Sequence, residues 1–358
     1  MCHACATPPD DDEGTGAAPR PRLSRRGLLR GTFAAGAAGL AAHALGTAAV
    51  PAPALADTSG GGHGVRLRWL GIAGWEMAFD GHRVLVDPYL SRQEYRTGGS
   101  RMDPAKPIAT DARIIDWVLE HHLPQAPEFI LVTHGHWDHL GDVAALLSHP
   151  RWRDSRIRVF GNETHLNLIR AMGVPADREA DLVLVTGGEH LRYPLKDADH
   201  PRPAYTVEVF RSLHSQLGGY GFSPAGTLTS VPPKPTTLGE LVEGGSLAYQ
   251  VTVTGRLSVM FLSGTANFDA REVAHTSPDV LVLGASGNAA VHDYFRRALT
   301  TLDWPATVIP THNDDLVTPL DDPGVHDTAN RAVVAELREL VGDRGRVLDP
   351  RHLEPFTV

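Results

Sequence analysis

From Val65 onward the chain alternates between two hydrophobic patterns. Short apolar runs bounded by Gly, Pro, Asp or Asn predict strands, whereas apolar residues three and four positions apart predict helices. The predicted strands are Val65–Leu70, Arg83–Asp87, Phe129–Val132, Ile157–Gly161, Leu182–Val185, Tyr205–Phe210, Leu247–Val253, Leu257–Leu262, Asp279–Gly284 and Ala306–Pro310. The predicted helices are Ala112–His122, Asp142–Ser148, Glu163–Gly173, His292–Leu302 and, approximately, Asp327–Leu340. Strands that alternate with helices in this way indicate an α/β protein.

The connections between these elements carry further predictions. Asp80-Gly81 is a turn signal, and we expect it to join the strands Val65–Leu70 and Arg83–Asp87 as a hairpin. Two longer segments, Thr186–Pro203 and Ser215–Ser246, have little regular pattern. Long irregular loops in a compact domain usually form functional rims or lids. Because no linker of domain scale interrupts the pattern, we expect one domain over residues 65–358.

The first 56 residues predict an export signal. Arg25 and Arg26 precede a mildly apolar stretch rich in Gly and Ala, and Ala54 and Ala56 have the A-x-A spacing of a cleavage site. The paired arginines resemble a twin-arginine signal, which implies export of the folded chain by the twin-arginine translocation machinery. A transmembrane anchor is the alternative, but an Ala/Gly helix is a poor membrane span. We therefore expect cleavage after Ala56, a linker over 57–64, and a secreted or periplasmic protein without a stable membrane anchor.

Composition narrows the function classes. The formal net charge is −9 and no basic run is long, which argues against a nucleic-acid partner and leaves a small-molecule substrate. The chain has two cysteines, Cys2 and Cys5, and cleavage after Ala56 would remove both. A mature chain without thiols excludes thiolate metal ligands and cysteine nucleophiles.

The stretch ILVTHGHWDHLGD, residues 130–142, is the strongest candidate for chemistry. It follows a predicted buried strand and leads into a predicted helix that opens at Gly141-Asp142, so its polar residues are expected in a strand-to-helix loop. In an extended loop His134 and His136 project to the same side and could bind one ion. Asp138 and His139 then face a second ion or support the first. Imidazole and carboxylate without thiolate suit zinc, and also manganese or iron.

Two more histidines share this placement after a strand. His214 follows the strand Tyr205–Phe210, and His312 follows the strand Ala306–Pro310. A catalytic metal needs about three protein ligands and an open position for water. Either histidine alone is as easily a loop or core residue, but their arrangement with the first cluster favours ligands.

The motif THGHWDH and the order of the later histidines resemble the metallo-β-lactamase superfamily. The opening RWLGIAGWEMAFDGHRVLVDPYL is similar to its ascorbate-phosphate-lactonase-like and N-acyl-phosphatidylethanolamine phospholipase-like branch. The resemblance implies a four-layer αββα sandwich with the metal site at one edge of the two sheets. It implies two ligand sets, for one ion His134, His136 and His214, and for the second ion Asp138, His139 and His312.

The sequence departs from the family at one position. Many hydrolytic relatives have a Gly-Asp pair whose Asp bridges both ions, whereas Thr265 occupies that place here, and Asp269 is the next carboxylate along the chain. A threonine hydroxyl is neutral at pH 7 and is a poor bridge. We therefore expect one or two zinc ions, with the second held more weakly, and Asp87 as a residue that supports the site.

This ligand set predicts hydrolysis of an ester, lactone, amide or phosphoester bond by a metal-activated water, with Asp138 orienting or deprotonating that water. The branch resemblance favours a lactone or phosphodiester. Tyr220 and Phe222 are candidate substrate contacts, ordinary loop packing being the alternative. Two other functions remain open: a degenerate family member that binds metal or ligand without turnover, and a mononuclear iron oxygenase of the same fold. His82, His121, His122, His149 and His165 are interpreted as structural.

Overall fold

The structure, a computed structural model, describes residues 64–99, 101–217 and 219–358. The predicted export signal and most of the predicted linker lie outside the described residues. Among the described residues, no helix is both long enough and apolar enough to cross a membrane.

Two mixed β-sheets form the centre of the described domain. The strands are β1 (Arg66–Trp69), β2 (Trp75–Phe79), β3 (His82–Val86), β4 (Phe129–Leu131), β5 (Arg158–Gly161), β6 (Leu182–Leu184), β7 (His190–Tyr193), β8 (Tyr205–Arg211), β9 (Leu247–Val253), β10 (Ser258–Leu262), β11 (Val280–Gly284), β12 (Thr307–Thr311), β13 (Arg346–Val347) and β14 (Pro355–Thr357). The first sheet has the order β14-β1-β2-β3-β4-β5-β6, and the second has the order β13-β12-β11-β10-β9-β8-β7.

Helices cover the outer face of each sheet. They are α1 (Ala112–His121), α2 (Trp137–Leu140), α3 (Val143–Ser148), α4 (Glu163–Gly173), α5 (Ala270–Val273), α6 (Tyr294–Thr301) and α7 (Arg331–Val341). Short 3₁₀ turns occupy Ala176–Asp181, Leu238–Glu240, Val325–Thr328 and Gly342–Arg344. The helical stripe predicted for α1 is buried at Ile114, Ile115, Val118 and Leu119.

Three buried apolar clusters separate the layers. The central cluster lies between the two sheets and contains Trp69, Trp75, Tyr205, Tyr249 and Phe261. One outer cluster packs α1, α3 and α4 against the first sheet, and the other packs α5, α6 and α7 against the second sheet. Each sheet therefore buries both faces, and the four-layer αββα sandwich expected from the sequence is confirmed.

The predicted hairpin between β1 and β3 is wrong, because β2 lies between them. The turn at Asp80-Gly81, both with positive φ, joins β2 to β3. All five residues of β2 are buried, so the strand lacks the alternation that marks a half-exposed strand. The charged Glu76 inside it disguises the strand further, but its carboxylate is paired with Arg68 and Arg83.

Other predicted boundaries also shift. The irregular segment Thr186–Pro203 contains β7, and the short edge strands β13 and β14 had no apolar run that would predict them. The predicted last helix is divided into the 3₁₀ turn Val325–Thr328 and α7, which begins after the cap Asn330. The side chain of Asn330 accepts a hydrogen bond from the Ala332 N–H, as helix caps commonly do.

Candidate metal centre

Six predicted ligands meet at the ends of three strands. His134 and His136 follow β4, His214 follows β8, and His312 follows β12. Their ligand atoms form two groups, each with all atoms within 4.8 Å of one another. The groups are His134, His136 and His214, and Asp138, His139 and His312. These are the two sets that the family resemblance implied.

The first group consists of imidazole nitrogens alone. The Nδ1 atom of His136 lies 3.1 Å from Nε2 of His134 and 3.2 Å from Nε2 of His214. Two nitrogens bound to one tetrahedral zinc ion at about 2.0–2.1 Å would be about 3.3 Å apart. The spacing of the first group therefore fits a shared ion.

The second group is more open. Oδ2 of Asp138 lies 3.5 Å from Nε2 of His139 and 3.4 Å from Nε2 of His312. The rings of His134 and His139 are 3.8 Å apart between centroids, so the two groups adjoin each other. One carboxylate and two imidazoles are hard and borderline ligands of the kind that zinc, manganese and iron accept.

Hydrogen bonds fix the tautomers of the ligands, as inferred from their partners. His136 Nε2 donates to the Pro224 carbonyl at 2.8 Å, and His214 Nδ1 donates to the Ser215 carbonyl at 3.0 Å. His139 Nδ1 donates to Asp87 at 2.8 Å. In the neutral form of each ring the remaining nitrogen is the one that faces the group, where it can bind an ion.

Asp87 organises the floor of the site. Its buried carboxylate accepts hydrogen bonds from the N–H of Thr133 at 2.7 Å, the hydroxyl of Thr133, and His139. The Thr133 hydroxyl then accepts from Nδ1 of His134 at 3.2 Å, which leaves Nε2 of His134 to the first group. One carboxylate thus orients a histidine in each group. This role is more specific than the support of the site that the sequence predicted for Asp87.

The short helix α2 carries the second half of the motif, Asp138 and His139. The sequence predicted that the helix opens at Gly141-Asp142, but α2 already begins at Trp137, directly after His136. Asp138 and His139 therefore project from one helical turn, whereas His134 and His136 project from extended chain. Asp142 lies between α2 and α3, and its buried carboxylate binds the N–H groups of Leu90 and Ser91.

Burial keeps the first group uncharged. Desolvation lowers the pKa of His134 well below its usual value and lowers those of His136 and His214 to about 4 and about 3. Neighbouring imidazoles add to the effect on His134 and His214. At neutral pH all three rings are neutral, which is the form that binds a metal.

The second group favours positive charge. Burial opposes the protonation of His139, but Asp138 and Asp87 outweigh it and raise its pKa to about 10. Burial likewise opposes ionisation of Asp138, yet the facing His139 and His312 hold the pKa of Asp138 well below its usual value. At neutral pH His139 is therefore protonated, and an ion bound by Asp138, His139 and His312 would displace that proton.

The residues at the expected bridging position have other partners. The hydroxyl of Thr265 donates to the carbonyl of Leu213 at 2.7 Å, and the Asn267 side chain donates to the carbonyl of His214 at 3.1 Å. Thr265 therefore holds the loop that carries a ligand. Asp269 caps α5 by accepting from the Arg271 N–H at 2.9 Å, and it belongs to neither ligand group among the described residues.

The two candidate substrate contacts differ in position. Phe222 is half-buried and stacks on the ring of His214, with centroids 4.3 Å apart. Tyr220 is 83% exposed. Leu213 and Leu217 on the same loop are 49% and 45% exposed. We call Leu213, Leu217 and Tyr220 the apolar lip.

Two separate parts of Ser215–Ser246, at Pro224 and at Val242-Glu243, contact the loop that carries His134 and His136, which the expectation of a rim did not foresee. The carbonyl of Pro224 binds His136, and the carbonyl of Glu243 accepts from the Gly135 N–H at 2.8 Å. A Cβ atom on Gly135 would lie 2.1 Å from the carbonyl oxygen of Val242, so only glycine allows this approach. The glycine between the two histidines was the one sequence signal for this contact.

The five histidines interpreted as structural lie outside both ligand groups found among the described residues. His82 contacts Glu128, His149 contacts Asp116, and His165 contacts the Glu243 carbonyl at 3.2 Å. Burial lowers the pKa of His122 to about 4, and His121 contacts the Trp117 carbonyl.

Comparison with known proteins identifies the class. The model of a family described as the beta-lactamase superfamily domain matches residues 66–312. This span is more than half of the chain, and the chain belongs to that superfamily.

Its relatives include several UPF0173 metal-dependent hydrolases. The protein of Caldivirga maquilingensis is 24% identical over 285 residues, which cover 79% of this chain and 97% of that protein. The protein of Polynucleobacter asymbioticus is 26% identical, with 77% and 84% covered. A shorter match to a Methanopyrus kandleri protein is 35% identical over 82 residues and covers 23% of this chain and 26% of that protein.

Among solved structures, a possible metal-dependent hydrolase of Veillonella parvula is similar in fold. The TM-score is 0.50 at 17% identity, with 82% of this chain and 100% of that chain covered. An identity this low shows the fold alone.

Proposed function

We propose that the protein is an exported metal-dependent hydrolase. The observation that carries the proposal is the set of oriented ligands, in which hydrogen bonds to His134, His136, His139 and His214 leave the nitrogen that faces a group free. The names of the relatives, metal-dependent hydrolases, support the same activity. We propose zinc as the ion, with manganese and iron as chemically compatible alternatives.

The chemistry follows from the donor set. A zinc ion held by these residues would lower the pKa of its bound water from 15.7 to about 7 and would polarise a carbonyl or phosphoryl oxygen. Asp138 is ionised and faces His139 and His312, where its carboxylate would accept a proton from the attacking water or hold that water in line. The three neutral imidazoles of the first group place no competing proton there.

For the substrate we propose an ester, lactone or phosphodiester that carries an apolar group. The apolar lip lies on the loop that carries His214, and Phe222 stacks on that histidine, so an apolar substituent next to the reacting bond would contact this loop. Tyr220 and Phe222 are the proposed contacts. The branch resemblance of the sequence supports a lactone or a phosphodiester.

A substrate panel combined with metal analysis tests this function. Protein purified without added metal is expected to contain zinc, to hydrolyse at least one of an aryl ester, a γ-lactone and an aryl phosphodiester, to lose that activity on chelation, and to regain it with Zn²⁺. Bound metal without turnover of any class would indicate the non-catalytic family member. Bound iron together with oxygen consumption would indicate the oxygenase.

A series of substrates with increasing acyl-chain length tests whether the apolar lip selects the substrate. Activity is expected to rise with acyl length for the wild type, and Leu217→Ser with Tyr220→Ser is expected to raise KM for long chains with little change for short ones. Leu195→Ser removes a leucine that is more exposed than those of the lip, at 71%, from the segment between β7 and β8. If that variant has the same effect, the lip does not select the substrate.

We further propose that residues 1–56 direct export and are then removed. Arg25 and Arg26, the following Ala/Gly-rich stretch and the A-x-A spacing at Ala54 and Ala56 support this. Protein recovered from outside the cytoplasm is expected to begin at Asp57 by N-terminal sequencing, and Arg25→Lys with Arg26→Lys is expected to stop its appearance there. Export of this variant at the wild-type level would contradict the twin-arginine route.

A further inference from the structure

A buried ion pair lies beside the loop that carries His312, and the chemistry above does not use it. Arg92 Nη1 is 2.7 Å from Asp314 Oδ2, and both side chains are fully buried. His352 Nε2 contacts the same carboxylate oxygen at 2.9 Å. Arg92 also donates to the carbonyl of Thr318, so the pair ties together three separated parts of the chain.

The pair reaches the ligand through the backbone of one residue, Ile72. Asp314 Oδ2 accepts from the N–H of Ile72 at 3.0 Å, and the carbonyl of Ile72 accepts from the N–H of His312 at 2.7 Å. Ile72 has φ 51° and His312 has φ 53°. A left-handed conformation is strained for a β-branched residue such as Ile72, so its neighbours must hold it.

His312 depends on this backbone support more than the other ligand histidines do. Its Nδ1 atom is buried without a hydrogen-bond partner among the described residues, whereas the rings of His136, His139 and His214 each donate to an oxygen. The position of its backbone therefore decides where its Nε2 atom lies. The second group also lacks the bridging carboxylate that Thr265 replaces, so it has no other acidic ligand to compensate.

Stability does not explain the pair. Removing two charges from water costs several kcal/mol each, and buried ion pairs can often be replaced by apolar residues without loss of stability. A fully buried pair at this place is better explained by its holding the loop of His312 in position.

We propose that Arg92, Asp314 and His352 position His312 and thereby set the affinity of the second metal group. This inference rests on the proposed metal-dependent function. The three are positioning residues, since none of them belongs to either ligand group. The loop that they hold carries His312, which completes the second group. Of the ligands outside the THGHWDH motif, His312 is farther from the motif in sequence than His214 is.

Metal titration of the apo protein tests the proposal without reference to turnover. The double variant Arg92→Met/Asp314→Leu removes both charges together, so neither remains buried alone. Calorimetric titration with Zn²⁺ is expected to show second-group affinity reduced about 10–100-fold, the range found when partners that orient ligands are removed, and first-group affinity unchanged. The variant His312→Ala identifies which binding phase belongs to the second group.

The matched control is the pair Arg178 and Asp181, which is also buried and lies in the 3₁₀ turn Ala176–Asp181. Arg178→Met/Asp181→Leu is expected to leave both affinities unchanged. If the first double variant does not fold, His352→Phe tests the same point, since it keeps a ring against Trp69 and removes one donor to Asp314. It is expected to weaken the second group in the same direction by a smaller factor.

Three results would overturn the positioning role: unchanged second-group affinity in these variants, equal weakening of both groups, or a wild-type protein that binds no ion at Asp138, His139 and His312. The last result leaves the hydrolase proposal intact if the first group binds zinc. Loss of binding at both groups in the wild type would instead contradict the proposed function itself.

Discussion

Replacing His136 with alanine is expected to abolish metal binding at the first group and hydrolysis together. His136 Nδ1 lies at the centre of that group, 3.1 Å from His134 Nε2 and 3.2 Å from His214 Nε2. Partners that only orient a ligand are typically worth about 10–100-fold in affinity or activity, so removal of the ligand should cost well over 100-fold in kcat/KM. Elemental analysis and the preferred substrate of the panel measure both losses on one sample.

The control for this variant is another buried imidazole. His165→Ala removes a fully buried ring that contacts the carbonyl of Glu243 and belongs to neither ligand group. It is expected to lower the free energy of unfolding and to keep both metal and kcat. Full activity in His136→Ala would contradict the assigned site, and loss of metal in His165→Ala would show that any buried cavity here disrupts the site.

The ligands were predictable because they share one simple placement. His134, His214 and His312 each follow a strand, β4 in the first sheet and β8 and β12 in the second, and chemistry in α/β folds collects at the ends of strands. The apolar runs of β4 and β12 were visible in the sequence because strands of a sheet covered on both faces are buried throughout, whereas β8 alternates between buried and half-buried residues and was visible by its β-branched and aromatic residues. The motif and the fold were therefore predicted by the same pattern.

The residues that orient the ligands were much harder to predict. Arg92 and Asp314 are separated by more than two hundred positions, and each lies in a polar stretch typical of a solvent-exposed loop. Nothing in the local sequence indicates that both are fully buried. The strand β2 was missed for a related reason, because a buried charge such as Glu76 interrupts the expected pattern and only its distant partners explain it.

Ligands are easier to predict from sequence than the residues that orient them, and the reason is physical. A ligand must have a particular side chain at a particular strand end, which leaves a local signature. An orienting residue needs only to arrive at the right place from any part of the chain, as Asp87 does from the end of β3 and Pro224 does with a backbone carbonyl. Carbonyl groups leave no trace in the residue type, so the support of His136 could not be predicted.

Asp87→Asn is expected to weaken the second metal group with little change in shape. Asparagine fits the same space, but its amide can place an N–H where the carboxylate now accepts the proton of His139 Nδ1. Loss of the Asp87 charge favours the neutral His139 ring, and relief of the donor–donor contact places its one remaining proton on Nε2, the atom that faces Asp138 and His312. A protonated nitrogen cannot bind an ion, so second-group affinity is expected to fall about 10–100-fold.

Two further hydrogen bonds of Asp87 distinguish its effect on stability from its effect on His139. The carboxylate also accepts from the N–H and the hydroxyl of Thr133, so Asp87→Ala should leave buried donors unpaired at about 1–3 kcal/mol each. Asp87→Asn should therefore unfold at nearly the wild-type denaturant concentration, and Asp87→Ala at a clearly lower one. Nitrogen NMR of the His139 ring would report the tautomer directly. If Asp87→Asn retains Nδ1 protonation and wild-type affinity, the carboxylate contributes packing alone and the orientation of His139 has another source.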